Sequence, residues 1–473
     1  MPKRIALCLL TLAVMASTGS SAPKWPQFRG VNASGVNASA KPPVEIGPAE
    51  PVIWKVPVPW SPSSPIIWDD RIFLTTFNEG ELETRCHDRA DGRLLWRRGF
   101  KPEGIEEFHR SDGSPAASTP ATDGERVVSY FGSFGVICYD FAGKELWRYP
   151  LSVAQSGGRY GTGTSPIIVG NQVVLNRDQH RFSSLLALDL NTGKRLWETP
   201  RPESSGSFGT PVHWANNGTD EIVVAAYGLL KGYSLKTGEE RWRVTGVTGF
   251  VCTTPVLGNG LLYFAAFSNA QPDAPLPSWD EFLKNMDKNG DDIVAFEEVD
   301  LAQRDYYRGL DTDRDGKFTK NDWDEREKKV ADLENLMVAV RPGGTGDITD
   351  THVEWEYRKG LPYVPSPLFY DGIIYMVKDG GVITSIDAES GSTEYDRERI
   401  RRAPGAYYAS PIAADGRIYV ASVSGILTVL EAGGSKPKIL HQADFGARIL
   451  ASPAIVGEAL YLRTEKHLFA FGR

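Results

Sequence analysis

The chain has 473 residues, of which 24% are charged and 41% hydrophobic, so it is neither a disordered polyelectrolyte nor a bundle of membrane-spanning helices. The formal net charge is −8 without a basic patch, which argues against binding to nucleic acid or to an anionic membrane surface. The acidity is local. Residues 271–333 hold 18 acidic and 10 basic side chains, so the rest of the chain is close to neutral.

Residues 1–22 have the pattern of a cleaved secretory signal. Lys3 and Arg4 precede an apolar run that is too short to span a bilayer, and small residues follow it. Cleavage after Ala16 or Ala22 fits this pattern, and no cysteine lies near either site to carry a lipid anchor. We therefore expect an exported protein, periplasmic or extracellular, with no stable membrane insertion.

The mature chain is built from eight repeats. Each begins with a Ser-Pro or Thr-Pro pair, and successive pairs lie 42–55 residues apart except for one gap of 112. Without residues 271–333 that gap falls to 49. Each repeat contains short β-branched and aromatic runs separated by Gly, Asn or Asp turns, which predicts a four-stranded propeller blade. The prolines are Pro65, Pro120, Pro166, Pro211, Pro255, Pro367, Pro411 and Pro453.

The two ends of the chain are predicted to share a blade. The eighth repeat stops after its third strand, and the missing strand is present near the start, in PVIWKVPV. Its Trp54 matches the tryptophan that opens the last strand of other repeats, such as Trp96 and Trp147. Because such closure removes free sheet edges, we predict an all-β, eight-bladed propeller, monomeric, with these tryptophans used for packing.

These repeats resemble those of the pyrroloquinoline-quinone (PQQ) family, whose blades end in a tract of the form LD-x-x-TG-K-x-x-W. Residues 188–197, LDLNTGKRLW, match this tract fully, and other blades match it in part. The sequence WPQFRG, within residues 23–50, is similar to the leader segment of exported PQQ-like propellers. The resemblance covers nearly all of the mature chain outside residues 271–333, and it implies the fold more specifically than the chemistry.

The acidic segment contains two loops with the spacing of a calcium-binding EF-hand. In DTDRDGKFTKND, oxygen-bearing side chains recur at alternate positions, Gly316 occupies the sharp turn, and a carboxylate closes the loop. The sequence DKNGDDIVAFEE repeats the spacing, with Asp292 in place of that glycine. Helical patterns flank both loops, so we predict an EF-hand pair holding one or two Ca²⁺ ions. The predicted ligands are Asp287, Asn289, Asp291, Ile293 and Glu298 in one loop and Asp311, Asp313, Asp315, Lys317 and Asp322 in the other.

The EF-hand pair is predicted to interrupt one blade. Propeller blades are expected over residues 51–270 and 334–473, and the insert then separates the second and third strands of the fifth blade. In an up-and-down blade this loop lies on the same face as the connections between blades, so we expect the insert to cover part of the mouth of the central channel. Those connections carry His109, Arg110, Asp112, Arg159, Tyr160, Phe208, Phe250, Tyr363, Tyr407, Tyr408 and Arg448.

Two functions fit these features. The resemblance implies either a quinoprotein dehydrogenase, which would oxidise an alcohol or sugar with PQQ, calcium and an aspartate base such as Asp112, or a non-catalytic scaffold. No catalytic residue is assigned, and no nucleophile elbow suggests a hydrolase. The candidate PQQ contacts are Arg159, Tyr160, Tyr363, Tyr407 and Arg448.

The cysteines favour the scaffold. Quinoprotein enzymes of this family carry a disulfide between adjacent cysteines over the quinone, whereas Cys86, Cys138 and Cys252 are far apart, and no Cys-x-x-Cys-His haem motif occurs. We expect buried free thiols, with a Cys86–Cys138 bridge as the alternative. The predicted function is therefore that of an exported calcium-binding propeller that binds a protein, peptide or glycan on its loop face.

Overall fold

Eight antiparallel four-stranded blades form the protein, as the repeats predict. This arrangement is seen in a computed structural model, which describes residues 24–50, 52–156, 160–179, 182–204, 207–216, 218–268, 278–300, 311, 315–331 and 333–472. The predicted signal segment, Arg159 and Asp313 lie outside the described residues.

The first four blades follow each other along the chain. Their strands are Ile66–Trp68, Arg71–Asn78, Glu81–Asp88 and Leu94–Phe100; Ala121–Thr122, Arg126–Phe131, Gly135–Asp140 and Glu145–Pro150; Ile167–Val169, Gln172–Arg177, Ser184–Asp189 and Arg195–Pro200; and Val212–Asn216, Thr219–Ala226, Leu229–Ser234 and Glu240–Thr245. A short strand, Gly346–Asp347, pairs in parallel with the outer strand of the fourth blade.

The other four blades complete the ring. Their strands are Val256–Gly258, Leu261–Ala266, Leu336–Val340 and Val353–Tyr357; Leu368–Tyr370, Ile373–Lys378, Val382–Asp387 and Thr393–Arg399; Ile412–Ala414, Arg417–Ala421, Ile426–Glu431 and Lys438–Asp444; and Ala454–Val456, Ala459–Arg463, His467–Phe471 and Val52–Pro57. In the last blade the N-terminal strand pairs with the C-terminal one, with Trp54 opposite Ala470. The predicted closure of the ring is thus confirmed.

The repeated Ser-Pro and Thr-Pro pairs build a closed ring around the axis. Each residue that precedes the proline donates its backbone N–H to the hydroxyl of its counterpart in the next blade, and the eighth, Ser452, donates back to Ser64 at 3.0 Å. We call these eight residues the hydroxyl belt. A net contribution of about 1 kcal/mol per bond is typical for such hydrogen bonds. The belt consists of Ser64, Thr119, Ser165, Thr210, Thr254, Ser366, Ser410 and Ser452.

The outer-strand tryptophans join neighbouring blades, as predicted. Trp147 Nε1 donates to the carbonyl of Leu190 in the next blade at 2.8 Å, and its ring lies over Gly193. A Cβ on Gly193 would come within 2.6 Å of that ring, and φ is +69° there, which explains the glycine of the TG-K tract. Trp242 is the exception and donates to Glu221 instead, and the corresponding connection of the fifth blade contains the strand Gly346–Asp347 and the helix Thr349–His352. The same donor geometry is found at Trp54, Trp96, Trp197 and Trp355.

The leader segment crosses the end of the channel opposite the inter-blade connections. Lys24–Trp25 pairs with the inner strand of the first blade, and Asn32 hydrogen-bonds to His213 in the fourth. The chain then turns back, so that Val36 bridges Ala413 in the seventh blade. A 3-10 turn, Val31–Ala33, lies between these contacts. The WPQFRG sequence therefore plugs one end of the channel.

In the part of the chain that the structure describes, the helices are few, and two of the three lie in the insert. Trp279–Met286 and Lys320–Ala331 belong to the insert, which has its own apolar core around Phe282, Phe318 and Trp323, and Thr349–His352 lies in the fifth blade. Among the described residues, no helix is long and apolar enough to cross a membrane. Cys86, Cys138 and Cys252 are free thiols, so the alternative bridge does not form.

Candidate ligand-binding cavity at the channel mouth

The mouth of the channel opens into a blind cavity of about 310 Å³. Its sides carry the hydroxyl belt, and its far end is closed by Phe28 of the leader. The inter-blade connections form the rim, since they lead into the innermost strands. The cavity is therefore lined by eight hydroxyls below and by irregular loops above.

Half of the rim is a continuous series of aromatic rings, which we call the aromatic arc. The ring centroids of Tyr160 and Phe208 are 6.2 Å apart, and those of Phe208 and Phe250 are 5.4 Å apart. Phe250 and Tyr363 are stacked at 6.0 Å and 23°. At the other end of the arc, His109 lies 6.0 Å from Tyr160. Tyr160 is 46% exposed, and all four rings line the cavity, so an entering ligand would contact aromatic surface.

An ion pair closes the opposite part of the rim. Arg448 Nη2 donates to Asp112 Oδ1 at 2.6 Å, and Nη1 donates to the carbonyl of Ser111. This joins the connection between the first two blades to the one between the last two. His109 Nδ1 lies 3.6 Å from the second oxygen of Asp112. The charge of Arg448 is thus already compensated, and its side chain braces the rim.

The structure separates the predicted cavity residues into two groups. Tyr160, Tyr363 and Tyr408 line the cavity, whereas Tyr407 turns into the core and donates its hydroxyl to the Ala403 carbonyl at 2.7 Å. Arg448 is on the rim in its ion pair, and Arg159 lies outside the described residues. The prediction that these residues bind a cofactor stays untested.

Sequence reasoning missed three kinds of lining residue. The hydroxyl belt, Phe28 and Cys252 all reach the cavity. The belt could have been found, since its members precede the repeated prolines. Phe28 could not, because nothing in WPQFRG says that this ring enters the channel from below.

The lining is almost uncharged at neutral pH. Burial raises the pKa of the Cys252 thiol to about 12, so it is a neutral thiol and a poor nucleophile. Burial also raises the pKa of Tyr363 above its ordinary value, and burial and the nearby Asp112 raise that of Tyr408. Among the described lining residues, Asp112 is the one carboxylate, and it is paired.

A buried carboxyl supports the rim from behind. Glu106 is 2% exposed, and its Oε1 accepts a hydrogen bond from Thr162, a lining residue, at 3.0 Å. Its Oε2 has no hydrogen-bond partner among the described residues and lies against Gly132. Burial raises the pKa of Glu106 to about 8, although Thr162 and the Arg177 guanidinium lower it in part. Glu106 is therefore neutral over much of the acidic range.

The lining does not fit PQQ, the cofactor implied by the resemblance. PQQ carries three carboxylates, for which cationic side chains are the strong partners. None of the described lining residues is a lysine or an arginine, and Arg448 on the rim is paired with Asp112. Cys252 has no adjacent cysteine. Among the described residues, the cavity therefore lacks a free cationic partner for the carboxylates of the quinone.

The described part of the acidic insert contains a short sheet and two left-handed loop positions, and the predicted EF-hand pair stays untested. The segments Val294–Ala295 and Lys317–Phe318 form a two-stranded antiparallel sheet that joins the loops. The sixth loop positions are left-handed, with φ of +62° at Asp292 and +87° at Gly316. Ser278 caps the first helix through the N–H of Glu281.

The carboxylates at the first and last positions of the two loops accept hydrogen bonds from backbone N–H groups of the same loops. Asp287 accepts from the N–H groups of Gly290 and Asp292, and Glu298 accepts from those of Lys288 and Ala295. In the second loop, Asp311 accepts from Asp315 and Gly316, and Asp322 accepts from Thr319. Within the described residues, no group of three or more His, Cys, Asp or Glu side chains is arranged to hold a metal.

The fold and the axial cavity define the class: this is a PQQ-repeat β-propeller. The family model described as "outer membrane protein assembly factor BamB" matches residues 78–281 and 330–466, and the chain belongs to that family.

Solved structures show the same fold at low identity. BamB from Moraxella catarrhalis is 11% identical, with a TM-score of 0.55, over 89% of this chain and 98% of that one. Quinohemoprotein alcohol dehydrogenase from Comamonas testosteroni is 9% identical, with a TM-score of 0.59, over 95% and 80% of the two chains. The computationally designed Ika8 protein is 11% identical, with a TM-score of 0.53, over 89% and 99%. No curated protein matches the chain in sequence.

Proposed function

We propose that this protein is an exported, non-catalytic scaffold that binds a protein or peptide segment at the mouth of its channel. The observation that carries the proposal is the lining of the cavity, which is aromatic and hydroxylic and almost uncharged. An apolar or aromatic side chain of a partner would enter between the rings of the aromatic arc, where desolvation and ring contacts favour binding. Membership of a family named for an assembly factor supports the same choice.

A catalytic role has less support. The Cys252 thiol is kept protonated by burial, and the carboxylate of Asp112 is paired with Arg448. A general base needs a free carboxylate or imidazole within reach of substrate. A scaffold needs only a fixed surface, which the ring of blades and the plugged channel provide.

The insert is proposed to be an EF-hand pair that binds Ca²⁺. Its loops offer hard oxygen donors in the spacing that calcium requires, the two loops are joined by a short sheet, and the sixth positions have the left-handed conformation. Asp287, Asn289, Asp291 and Glu298 would hold one ion, with the Ile293 carbonyl. Asp311, Asp315, Asp322 and the Lys317 carbonyl, with Asp313, would hold a second. When bound, the ions neutralise these carboxylates and rigidify the insert.

Export is proposed from residues 1–22, which have the charged and apolar order of a signal peptide. The partner and the insert would then meet in the periplasm or outside the cell. Calcium is about millimolar outside cells, which suits extracellular modules with dissociation constants of about 10⁻⁴–10⁻³ M.

The test is site-specific photo-crosslinking with matched positions. A photoreactive residue replaces Tyr160 on the rim or, as control, Leu146 on the outer strand of the second blade, which is 43% exposed. We expect a discrete protein adduct from position 160, reduced at least tenfold by Phe250→Ala, and none from position 146. Equal labelling from both positions would contradict the proposal.

A PQQ titration separates the enzyme from the scaffold. The chain has 12 tryptophans, so binding of the quinone in the channel would quench fluorescence. We expect no saturable quenching up to about 10 μM PQQ, with or without calcium. Saturable one-to-one quenching in that range would favour the dehydrogenase instead.

A further inference from the structure

The hydroxyl belt leaves eight hydrogen-bond donors facing the cavity. A Ser or Thr hydroxyl has one donor and two acceptor sites, and each belt hydroxyl uses an acceptor site for the N–H of the preceding blade. No acceptor for the eight O–H groups is found among the described residues. All eight side chains line the cavity. A molecule at the centre of the belt therefore meets a ring of hydroxyls, each with its O–H donor and one acceptor site unused by the belt.

Uncompensated positive charge lies behind the belt. Arg29 of the leader is fully buried, and its Nη2 donates to the carbonyl of Pro367, the residue after belt member Ser366, at 2.8 Å. Its Nε and Nη1 have no partner among the described residues. Burial lowers the pKa of Arg29 to about 9, and no carboxylate raises it, so the group is still a cation at neutral pH.

A second buried cation adjoins the belt from the side. Arg463 is 1% exposed and donates to the carbonyls of Ser63, Thr75 and Pro59, and Ser63 is the neighbour of belt member Ser64. Burial lowers the pKa of Arg463 to about 9 as well, and its bonds go to neutral carbonyls. In a low-dielectric interior, two such charges raise the electrostatic potential of the cavity, since neither is screened by water.

The rim supplies little opposing charge. Asp112 lies at the rim and is paired with Arg448, and Glu106 is buried behind Thr162 with a raised pKa. His109 contacts the same carboxylate. The belt thus favours negative charge or acceptor atoms, whereas the aromatic arc above it favours apolar surface.

We propose that the cavity binds a small organic monocarboxylate, with its carboxylate among the belt hydroxyls and its apolar body against the aromatic arc. This specifies a ligand class for the site of the proposed function and rests on that site being a binding site. The carboxylate accepts from two or three belt hydroxyls, and Arg29 and Arg463 act on it through the interior rather than by contact. A cavity of about 310 Å³ accommodates a small ligand of this kind.

The first experiment is a calorimetric titration of the full mature protein with phenylacetate, phenylacetamide and sulfate. Phenylacetamide has the same ring without the charge, and sulfate has the charge without the ring. We expect phenylacetate to bind at least tenfold more tightly than either. Equal binding of the amide, binding of sulfate alone, or no binding of phenylacetate up to about 10 mM would each overturn the proposal.

Paired variants locate the site. Thr210→Val with Thr254→Val removes two belt hydroxyls. The control, Thr164→Val with Thr253→Val, removes two buried hydroxyls from residues that directly precede the belt members Ser165 and Thr254, and these hydroxyls donate to backbone carbonyls outside the cavity. We expect about a tenfold loss of phenylacetate affinity in the belt variant and less than a twofold change in the control. Equal losses in the two variants would show that the belt does not hold the carboxylate.

The two proposals fail in different ways. The belt variant should leave crosslinking from position 160 intact, whereas Phe250→Ala should reduce it. If crosslinking succeeds and phenylacetate does not bind, the carboxylate site alone is refuted. If phenylacetate binds at the belt and no partner is crosslinked, the carboxylate site stands and the scaffold function is refuted.

Discussion

Replacing the buried carboxyl behind the rim should change how stability depends on pH. Glu106 has an ordinary pKa of 4.5 when unfolded and a pKa of about 8 when folded, because burial disfavours its charged form. Between these values the folded state binds more protons than the unfolded state, so the free energy of unfolding decreases as pH rises. This contribution is fully present below pH 4.5 and is lost as pH approaches 8.

The size of the effect follows from the width of that window. One pKa unit corresponds to about 1.36 kcal/mol, so between pH 5 and 7.5 Glu106 should lower the free energy of unfolding by about 3 kcal/mol. Glu106→Gln keeps the shape and removes the titration. We therefore expect the free energy of unfolding to decrease less in the variant than in the wild type as pH rises over this range. Plotted against pH, the two free energies of unfolding should separate toward low pH, where the wild type is the more stable.

The assay is urea denaturation of the mature protein at half-unit pH steps, followed by tryptophan fluorescence. Glu107→Gln, which removes an exposed carboxylate from the next residue, serves as the control. Parallel curves for the wild type and Glu106→Gln would refute the argument. They would mean that the carboxylate is already ionised in the folded protein and is compensated by the Arg177 guanidinium.

Three further predictions concern packing, calcium and the insert. Gly193→Ala should destabilise the protein by about 2–4 kcal/mol, because φ is +69° at this position and an added Cβ would collide with the Trp147 ring. Gly170→Ala is the control: φ is +57° but the surrounding space is open, so it should cost about 1 kcal/mol. Urea denaturation of both variants measures the difference. Calcium at ten times its dissociation constant should add about 1.4 kcal/mol per occupied site to the stability of the insert. Glu298→Gln should remove this stabilisation at the loop that contains Glu298. Calorimetry with and without chelator measures both effects. Joining the chain across residues 271–333 should leave the propeller folded, since the core of the insert is its own, and loss of the far-ultraviolet β spectrum would contradict this.

The sequence was informative wherever a pattern repeats. The Ser-Pro and Thr-Pro pairs, the strand runs and the outer tryptophans predicted eight blades and their closure by the strand around Trp54, and the structure confirms both. Local alternation and turn residues determine these features, and eight copies reinforce one another. The EF-hand pair stays a prediction, although its spacing is equally local in sequence.

Side-chain direction in the irregular rim loops depended on the tertiary structure. Tyr407 and Tyr408 are neighbours in sequence, yet one packs in the core and the other lines the cavity, and no periodic pattern distinguishes them. Arg448 and Asp112 pair although 336 residues separate them.

The electrostatic environment of the cavity also depends on the tertiary structure. The belt brings together eight residues from eight blades, each unremarkable as a Ser or Thr before a proline, and only the closed ring makes them a set of donors around one axis. Arg29 and Glu106 become buried because the leader crosses the channel and the rim folds over the second blade. Sequence therefore determined the blades, whose interactions are local and repeated. Tertiary structure decided the cavity, because its contacts are single and join residues far apart in the chain.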